Sequence, residues 1–530
     1  MSGEERRTKE RVDERDHLTL TVGDVEDAYD VQRVTRSVGA LAEFNRAGVL
    51  GPADVHVAEA LGRLGVEESP DVLLAIALAV RSARLGSVCL DLSTARETTV
   101  VEGVAVDSLP WPTPQGWVDA LGASPLVAVG ADAQAGKPLR LVGSVVYLDR
   151  YWRDEQIVAA AVDAAHVRPA PEVDRERLRA AVDRLFGSGD ADRQRLAAIV
   201  AAGRWFSVIA GGPGTGKTTT VARLLALLCD QPGPAPRLAL AAPTGRAAAR
   251  LLEAVTTQAA QFDSADRDRL GDLRASTLHR LLGWKPGSRT RFRHDRTNPL
   301  PYDAVIVDEA SMVSLTMMAR LADALRTDAR LVLVGDPDQL ASVEVGAVLG
   351  DLVRREAAPG SVETDTHLVE ADLADLDAAE RRAALTSGVV RLAHVYRFSG
   401  QIEALAEGVR RGDADTVLGL LDDGSESVEL VESEAGEGLR TDVVGAGAAV
   451  VEAARAGDAA RAVDALGVHR LLCAHREGRT ALPGGACGPR IGCASGWTGT
   501  PATGPGTSAG RCSSPRTTTG SGCSTVTQES

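Results

Sequence analysis

Gly211-Gly212-Pro213-Gly214-Thr215-Gly216-Lys217-Thr218 spells G-x-x-x-x-G-K-[ST], a spacing that chemistry explains residue by residue. Glycines at 211, 214 and 216 let backbone N–H groups close on phosphate oxygens, and a helix beginning at Lys217 aims the positive end of its dipole at the same anions. Lys217 is expected to reach the outer phosphates and the Thr218 hydroxyl to ligate Mg²⁺. The nucleotide-holding set is then Gly211, Gly212, Pro213, Gly214, Thr215, Gly216, Lys217, Thr218 and Thr219. An ordinary glycine turn is the plainer reading. It is disfavoured by the β-prone run before the glycines and the helical pattern Val221 to Leu228 after them.

Two further stretches carry chemistry of the same kind. Ala304-Val305-Ile306-Val307 is an apolar run of strand length that delivers Asp308 and Glu309 at its tip. Asp308 suits a Mg²⁺ ligand, direct or through water, and Glu309 suits the base that accepts a proton from attacking water. The alternative is an acidic pair capping the next helix. Leu331-Val332-Leu333-Val334 is a third such run, and it ends in Gly335-Asp336-Pro337-Asp338-Gln339. Gln339 can bond a γ-phosphate oxygen or the attacking water, although turn composition by itself allows a solvent-facing glutamine.

Elements must bring these tips together. Trp205 to Ala210, Arg237 to Ala242, Asp303 to Val307 and Arg330 to Val334 are short apolar runs, each followed by a turn and a helical stretch. That alternation predicts an α/β fold, a parallel sheet covered by helices, with ligands beyond the carboxyl ends of the strands. Residues 21–170 read as a separate, mainly helical N-terminal domain that binds a partner, and 1–20 as a charged, disordered lead. It closes with a β-like run, Leu141 to Leu148, and the cluster Asp149-Arg150-Tyr151-Trp152-Arg153-Asp154-Glu155. That cluster is either a partner surface or a helix packing its aromatics inward, and periodicity favours the second.

Bulk composition narrows the classes. The 530 residues hold 58 basic and 73 acidic side chains, a net charge of −15, so nucleic-acid binding must be local rather than global. Only Lys9, Lys137, Lys217 and Lys285 are lysines, which fits a GC-rich coding sequence. The opening charged run lacks a signal peptide pattern, and Val72 to Val80 is far short of the ~20 apolar residues of a membrane span, so a soluble cytoplasmic protein is expected.

With these motifs assembled, the chain resembles the RecD family of superfamily-one DNA helicases, the alpha subunits of exodeoxyribonuclease V. The resemblance runs from about residue 80 to 478 and includes Tyr147 to Trp152, Ala242-Pro243-Thr244-Gly245-Arg246-Ala247-Ala248, Ser276 to Gly283 and Leu392 to Ile402. It implies a P-loop NTPase with a RecA-like first motor domain (171–355) and a partial second one (356–478). It further implies that Gln194 reads the adenine edge of ATP, that Thr244 and Arg246 touch DNA phosphates, and that Arg397 is an arginine finger. The family's usual proline after this turn is Ala341 here. The implied activity is ATP-dependent, 5′ to 3′ movement on single-stranded DNA at double-strand ends, with RecB-like and RecC-like partners, in break repair and recombination. A nucleotide-binding structural subunit without motor activity is the alternative.

Past Gly478 the character of the chain changes. Residues 479–530 are rich in Gly, Thr, Ser, Pro and Cys, with Glu529 as their only acid and no helical or strand period. Ordinary disorder and out-of-frame translation both give such composition, and the break just after the strand-like Leu471 to Ala474 favours the second. The family's fifth and sixth motifs have no counterpart, so impaired activity is expected.

Overall fold

The structure, a computed structural model, describes residues 32–469 except 102–104, 188–191, 286–290, 340–341, 343, 358–360, 362–363, 365, 394–399, 424–426, 429 and 431–436. Arg397, Ala341, Leu471 to Gly478, the 1–20 lead and the 479–530 tail therefore lie outside the described residues.

The N-terminal region opens with helices Ala40–Arg46, Pro52–Gly65 and Pro70–Arg84. Proline starts two of them, where its missing N–H has no intrahelical partner to lose. Leu74, Ile76 and Leu78 are buried with Phe44 and Trp117, whose indole N–H donates to Asp71 O at 2.8 Å. Against them lies a small sheet of β1 (Cys89–Asp91), β2 (Val127–Val129), β3 (Leu139–Val142) and β4 (Val145–Leu148), in the order β1-β4-β3-β2. The single β-like run expected at 141–148 is thus a hairpin. Its two-residue turn is possible because Gly143 takes φ +61°.

Helix Asp149–Val167 leaves this sheet with Tyr151 and Trp152 half-buried. Asp149 pairs with Arg140 at 2.8 Å, both buried, and Trp152 sits edge-on to Tyr147 at 4.9 Å. Its far end packs Val158 and Val162 among residues beyond the N-terminal domain such as Leu315 and Met318. His166 Nε2 lies 3.1 Å from Ser387 O, with its ring against Phe206. Burial, then Arg204, hold its pKa below the ordinary 6.5, while Ser387 and Asp163 oppose this and Arg355 adds to it. The folded state therefore binds this proton less well than the unfolded chain. Stability is whole above 6.5 and falls as pH drops toward the lower folded value. Urea melts at about pH 7.5 and 5.5 should show a smaller loss in His166→Gln than in the parent.

The second sheet holds six strands: β5 (Phe206–Gly211), β6 (Leu238–Ala242), β7 (Ala275–Thr277), β8 (Ala304–Val307), β9 (Arg330–Gly335) and β10 (Val389–Leu392). Their order is β10-β5-β9-β8-β6-β7, and every pair is parallel. Ile209, Leu240, Ile306 and Val332 face one helical layer and Val208, Ala239, Val305 and Leu333 the other. Burial on both faces is why β6, β8 and β9 read as largely apolar runs. This is the α/β P-loop NTPase fold expected. The sheet reaches past the boundary expected at residue 355, because β10 joins the edge of β5.

By contacts the chain divides at Ser399 and Gly400. From Gly400 on, the described residues form helices Gln401–Arg411, Ala414–Asp422, Glu437–Arg455 and Ala459–Val468, with no strand among them. No helix among the described residues is long and apolar enough to cross a membrane.

Candidate nucleotide site

The tips of β5, β9 and β8 are neighbours, so the three motifs converge at one edge of the sheet. After β5 the chain turns through Gly214 and Gly216, both at φ +82°, into helix Lys217–Cys229. Among the described residues, the N–H groups of Gly214, Thr215, Gly216, Thr218 and Thr219 donate to no protein acceptor. Unsatisfied donors converging at a helix start make an anion cradle. Lys217 Nζ donates to Gly211 O (2.6 Å) and Gly212 O (2.8 Å), which poises the ammonium over the loop. Thr215 Oγ1 donates to Gly212 O at 2.9 Å and braces the turn. Thr219 bonds away from the loop, its hydroxyl donating to Gln258 Oε1 at 3.3 Å. The Thr218 hydroxyl has no protein partner among the described residues.

Gln194, at the start of helix Arg193–Ala202, is buried against this turn. Its Nε2 donates to Thr215 O at 3.2 Å and its Oε1 accepts from Arg223 at 3.3 Å. A Cβ on Gly216 would come within 2.1 Å of Gln194 Nε2. The side chain expected to read a base edge thus also supports the phosphate loop, a contact that nothing in the linear spacing signals.

Asp308 and Glu309 follow β8. Burial pushes the Asp308 carboxyl up to about 6, with Glu309 adding to the rise and the Glu309 N–H and Lys217 opposing it. A carboxylate so desolvated is best stabilised as an anion by a cation. Together with the Thr218 hydroxyl, it fits Mg²⁺ carried in on a nucleotide. Capping does not explain the pair: the Glu309 side chain makes no cap bond, and the next helix, Leu315–Ala324, is capped by Ser314. Glu309 holds φ +51°, a left-handed conformation rare for a side chain of its size. Gly335, at the end of β9, passes behind it, and a Cβ there would lie 3.1 Å from Ala310 N. The turn after β9 places Gln339 exposed at the same edge, its N–H donating to Asp336 O at 3.3 Å.

Thr244 and Arg246 lie beyond β6, on the far side of β8 from the phosphate loop, and both are exposed. Thr244 caps helix Gly245–Ala259 through the Ala247 N–H. One surface escaped the motif reading. Between β7 and β8, beside the bridges Trp284–Phe292 and Asp295–Asn298, the described residues Trp284, Lys285, Arg291, Arg293 and Arg296 are exposed. The signal available was local, a basic run with aromatics in an acidic chain.

Residues 194–345 match the family model of an AAA domain, and residues 46–147 match that of the N-terminal domain of RecBCD enzyme subunit RecD. RecBCD enzyme subunit RecD of Mycolicibacterium smegmatis is 48% identical over 439 residues, 82% of this chain and 71% of that protein. Its counterpart in Mycobacterium tuberculosis is 48% identical over 461 residues, 86% of this chain and 72% of that one. The ATP-dependent RecD2 DNA helicase of Deinococcus radiodurans is 40% identical over 179 residues, 34% of this chain and 22% of that protein.

Proposed function

This chain belongs to the RecD family, and from that premise we propose that it is the ATP-hydrolysing DNA helicase subunit of a RecBCD-like exodeoxyribonuclease V, moving 5′ to 3′ on single strands at double-strand ends in break repair and recombination. The observation that carries the reading is the convergence of an open N–H cradle, Lys217 and the desolvated Asp308 at one sheet edge. Phosphates take the cradle, and Lys217 exchanges its two loop carbonyls for phosphate oxygens. Thr218 and Asp308 would hold Mg²⁺, which when bound neutralises charge on the phosphates. Glu309 accepts the proton of the attacking water, Gln339 follows the γ-phosphate, and Gln194 meets the adenine edge while bracing Thr215. Arg397 completes the charge neutralisation from the second motor domain.

Single-stranded DNA crosses Thr244 and Arg246. The exposed Trp284 with Lys285, Arg291 and Arg293 offers a stacking face among phosphate-binding charges. RecB-like and RecC-like subunits are the partners, in the cytoplasm. ATP hydrolysis by the purified chain, with and without single-stranded DNA, tests the proposal against Lys217→Ala as the blank. The expected outcome is stimulation by DNA in the parent and a loss of at least about 10²-fold in the variant. A parent no faster than the blank leaves a nucleotide-binding structural subunit instead.

A further inference from the structure

The turn that carries Gln339 is anchored at both ends, and the anchors come from different parts of the chain. At its entrance the buried Asp336 accepts from the Asp338 N–H through its carboxylate at 3.1 Å and from the Gln339 N–H through its carbonyl at 3.3 Å. At its exit, Val345 O accepts from the Leu315 N–H at 3.0 Å, and the Gly346 N–H donates to Gly86 O at 3.0 Å. Gly86 belongs to the N-terminal domain, just past helix Pro70–Arg84. There is no slack at this point, because a Cβ on Gly346 would fall 2.8 Å from Leu315 Cβ.

Helix Leu315–Ala324 is gripped from the same domain. Thr316 Oγ1 donates to Oδ2 of the buried Asp154 at 2.9 Å and accepts from Arg150 at 3.3 Å. Arg355, just past helix Val348–Arg354, donates to Asp163 Oδ2 at 2.8 Å. The chain from Asp308 and Glu309 runs through the short helical turn Ala310–Met312, then Val313 and Ser314, into helix Leu315–Ala324, whose first turn carries Thr316. Two of the three chemical tips are therefore fastened downstream to helix Asp149–Val167 and to Gly86. The phosphate loop is fastened otherwise, through Gln194 and helix Lys217–Cys229.

We propose that Asp154 and Thr316 are positioning residues for hydrolysis, through which the N-terminal domain fixes the Glu309 strand exit and the Gln339 turn without touching the phosphate cradle. This rests on the ATP-hydrolysis reading above. A subunit that grips the N-terminal domain thereby alters turnover rather than nucleotide affinity.

The test is Thr316→Val, which keeps the shape and removes the hydroxyl, beside Thr316→Ser, which restores it. Misplacement of a base by a fraction of an ångström to an ångström costs between about tenfold and a hundredfold in rate. The expected result is such a fall in kcat for DNA-stimulated hydrolysis in Thr316→Val, nucleotide Kd within about twofold of the parent, and recovery in Thr316→Ser. Unchanged kcat, or parallel loss of kcat and nucleotide affinity, overturns the proposal. Hydrogen exchange supplies a readout independent of activity. Faster exchange at residues 309–316 and 336–339 with residues 211–219 unchanged supports it, and uniform or unaltered exchange overturns it. A parent without hydrolysis above the Lys217→Ala blank defeats the functional reading alone, and the exchange measurement still decides the positioning.

Discussion

Glu309→Gln is expected to bind MgATP nearly as well as the parent and to turn it over about 10²–10⁴ times more slowly. The amide keeps the size and reach of the carboxylate but is neutral and cannot accept the proton. Affinity should survive because the cradle N–H groups and Lys217 lie on β5 and its helix, not on β8. Nucleotide Kd and single-turnover hydrolysis measured side by side separate the two effects, and a rate loss below about tenfold would place the base elsewhere. The backbone offers a second comparison. Glu309 holds φ +51°, which costs a non-glycine residue roughly 1–2 kcal/mol. Glu309→Gly should relieve that strain and melt higher while hydrolysing no faster than Glu309→Gln. A gain in stability would show that the Glu309 side chain holds this turn under strain, with the activity loss following from removal of the carboxylate.

The motor sheet was legible wherever a strand is buried on both faces. β5, β8 and β9 are mainly apolar runs that end abruptly in glycine or acid, and parallel topology then puts those ends side by side. β7 and β10 were not legible for a physical reason. Ala275–Thr277 is three half-buried residues, and Val389–Leu392 carries Arg391, so neither shows a run or an alternation of its own. Their strand character comes from pairing with β6 and β5, a tertiary term that no local window contains. The small N-terminal sheet failed to show for the same reason, since Cys89–Asp91 and Val127–Val129 are each three residues long.

Side-chain roles divided along a similar line. Residue type and spacing named Lys217, Thr218, Asp308 and Glu309, because phosphate, Mg²⁺ and water each demand a particular group at a particular strand end. Spacing said nothing about where a side chain rests between ligands. Lys217 on two loop carbonyls, Thr219 turned to Gln258 and Gln194 beneath Thr215 all depend on helices brought together by the fold.

Gly216→Ala tests that last contact, and its effect should be among the largest of any single methyl group in the chain. Two penalties coincide. The backbone sits at φ +82°, which costs an alanine about 1–2 kcal/mol. The new methyl would also fall 2.1 Å from Gln194 Nε2, and the buried amide must leave its bond to Thr215 O, at about 1 kcal/mol more. Stability should drop by roughly 2–3 kcal/mol in a urea melt. ATP binding should weaken at least about tenfold, because the displaced turn carries the cradle N–H groups of Thr215 and Gly216. Gln194→Ala in the same chain removes the collision but not the backbone cost. The double variant should therefore be destabilised by less than the sum of the two single variants. Strict additivity would mean that Gln194 does not press on the loop. Coupling of about 1 kcal/mol instead makes Gln194 a support of the turn that carries the cradle N–H groups of Thr215 and Gly216.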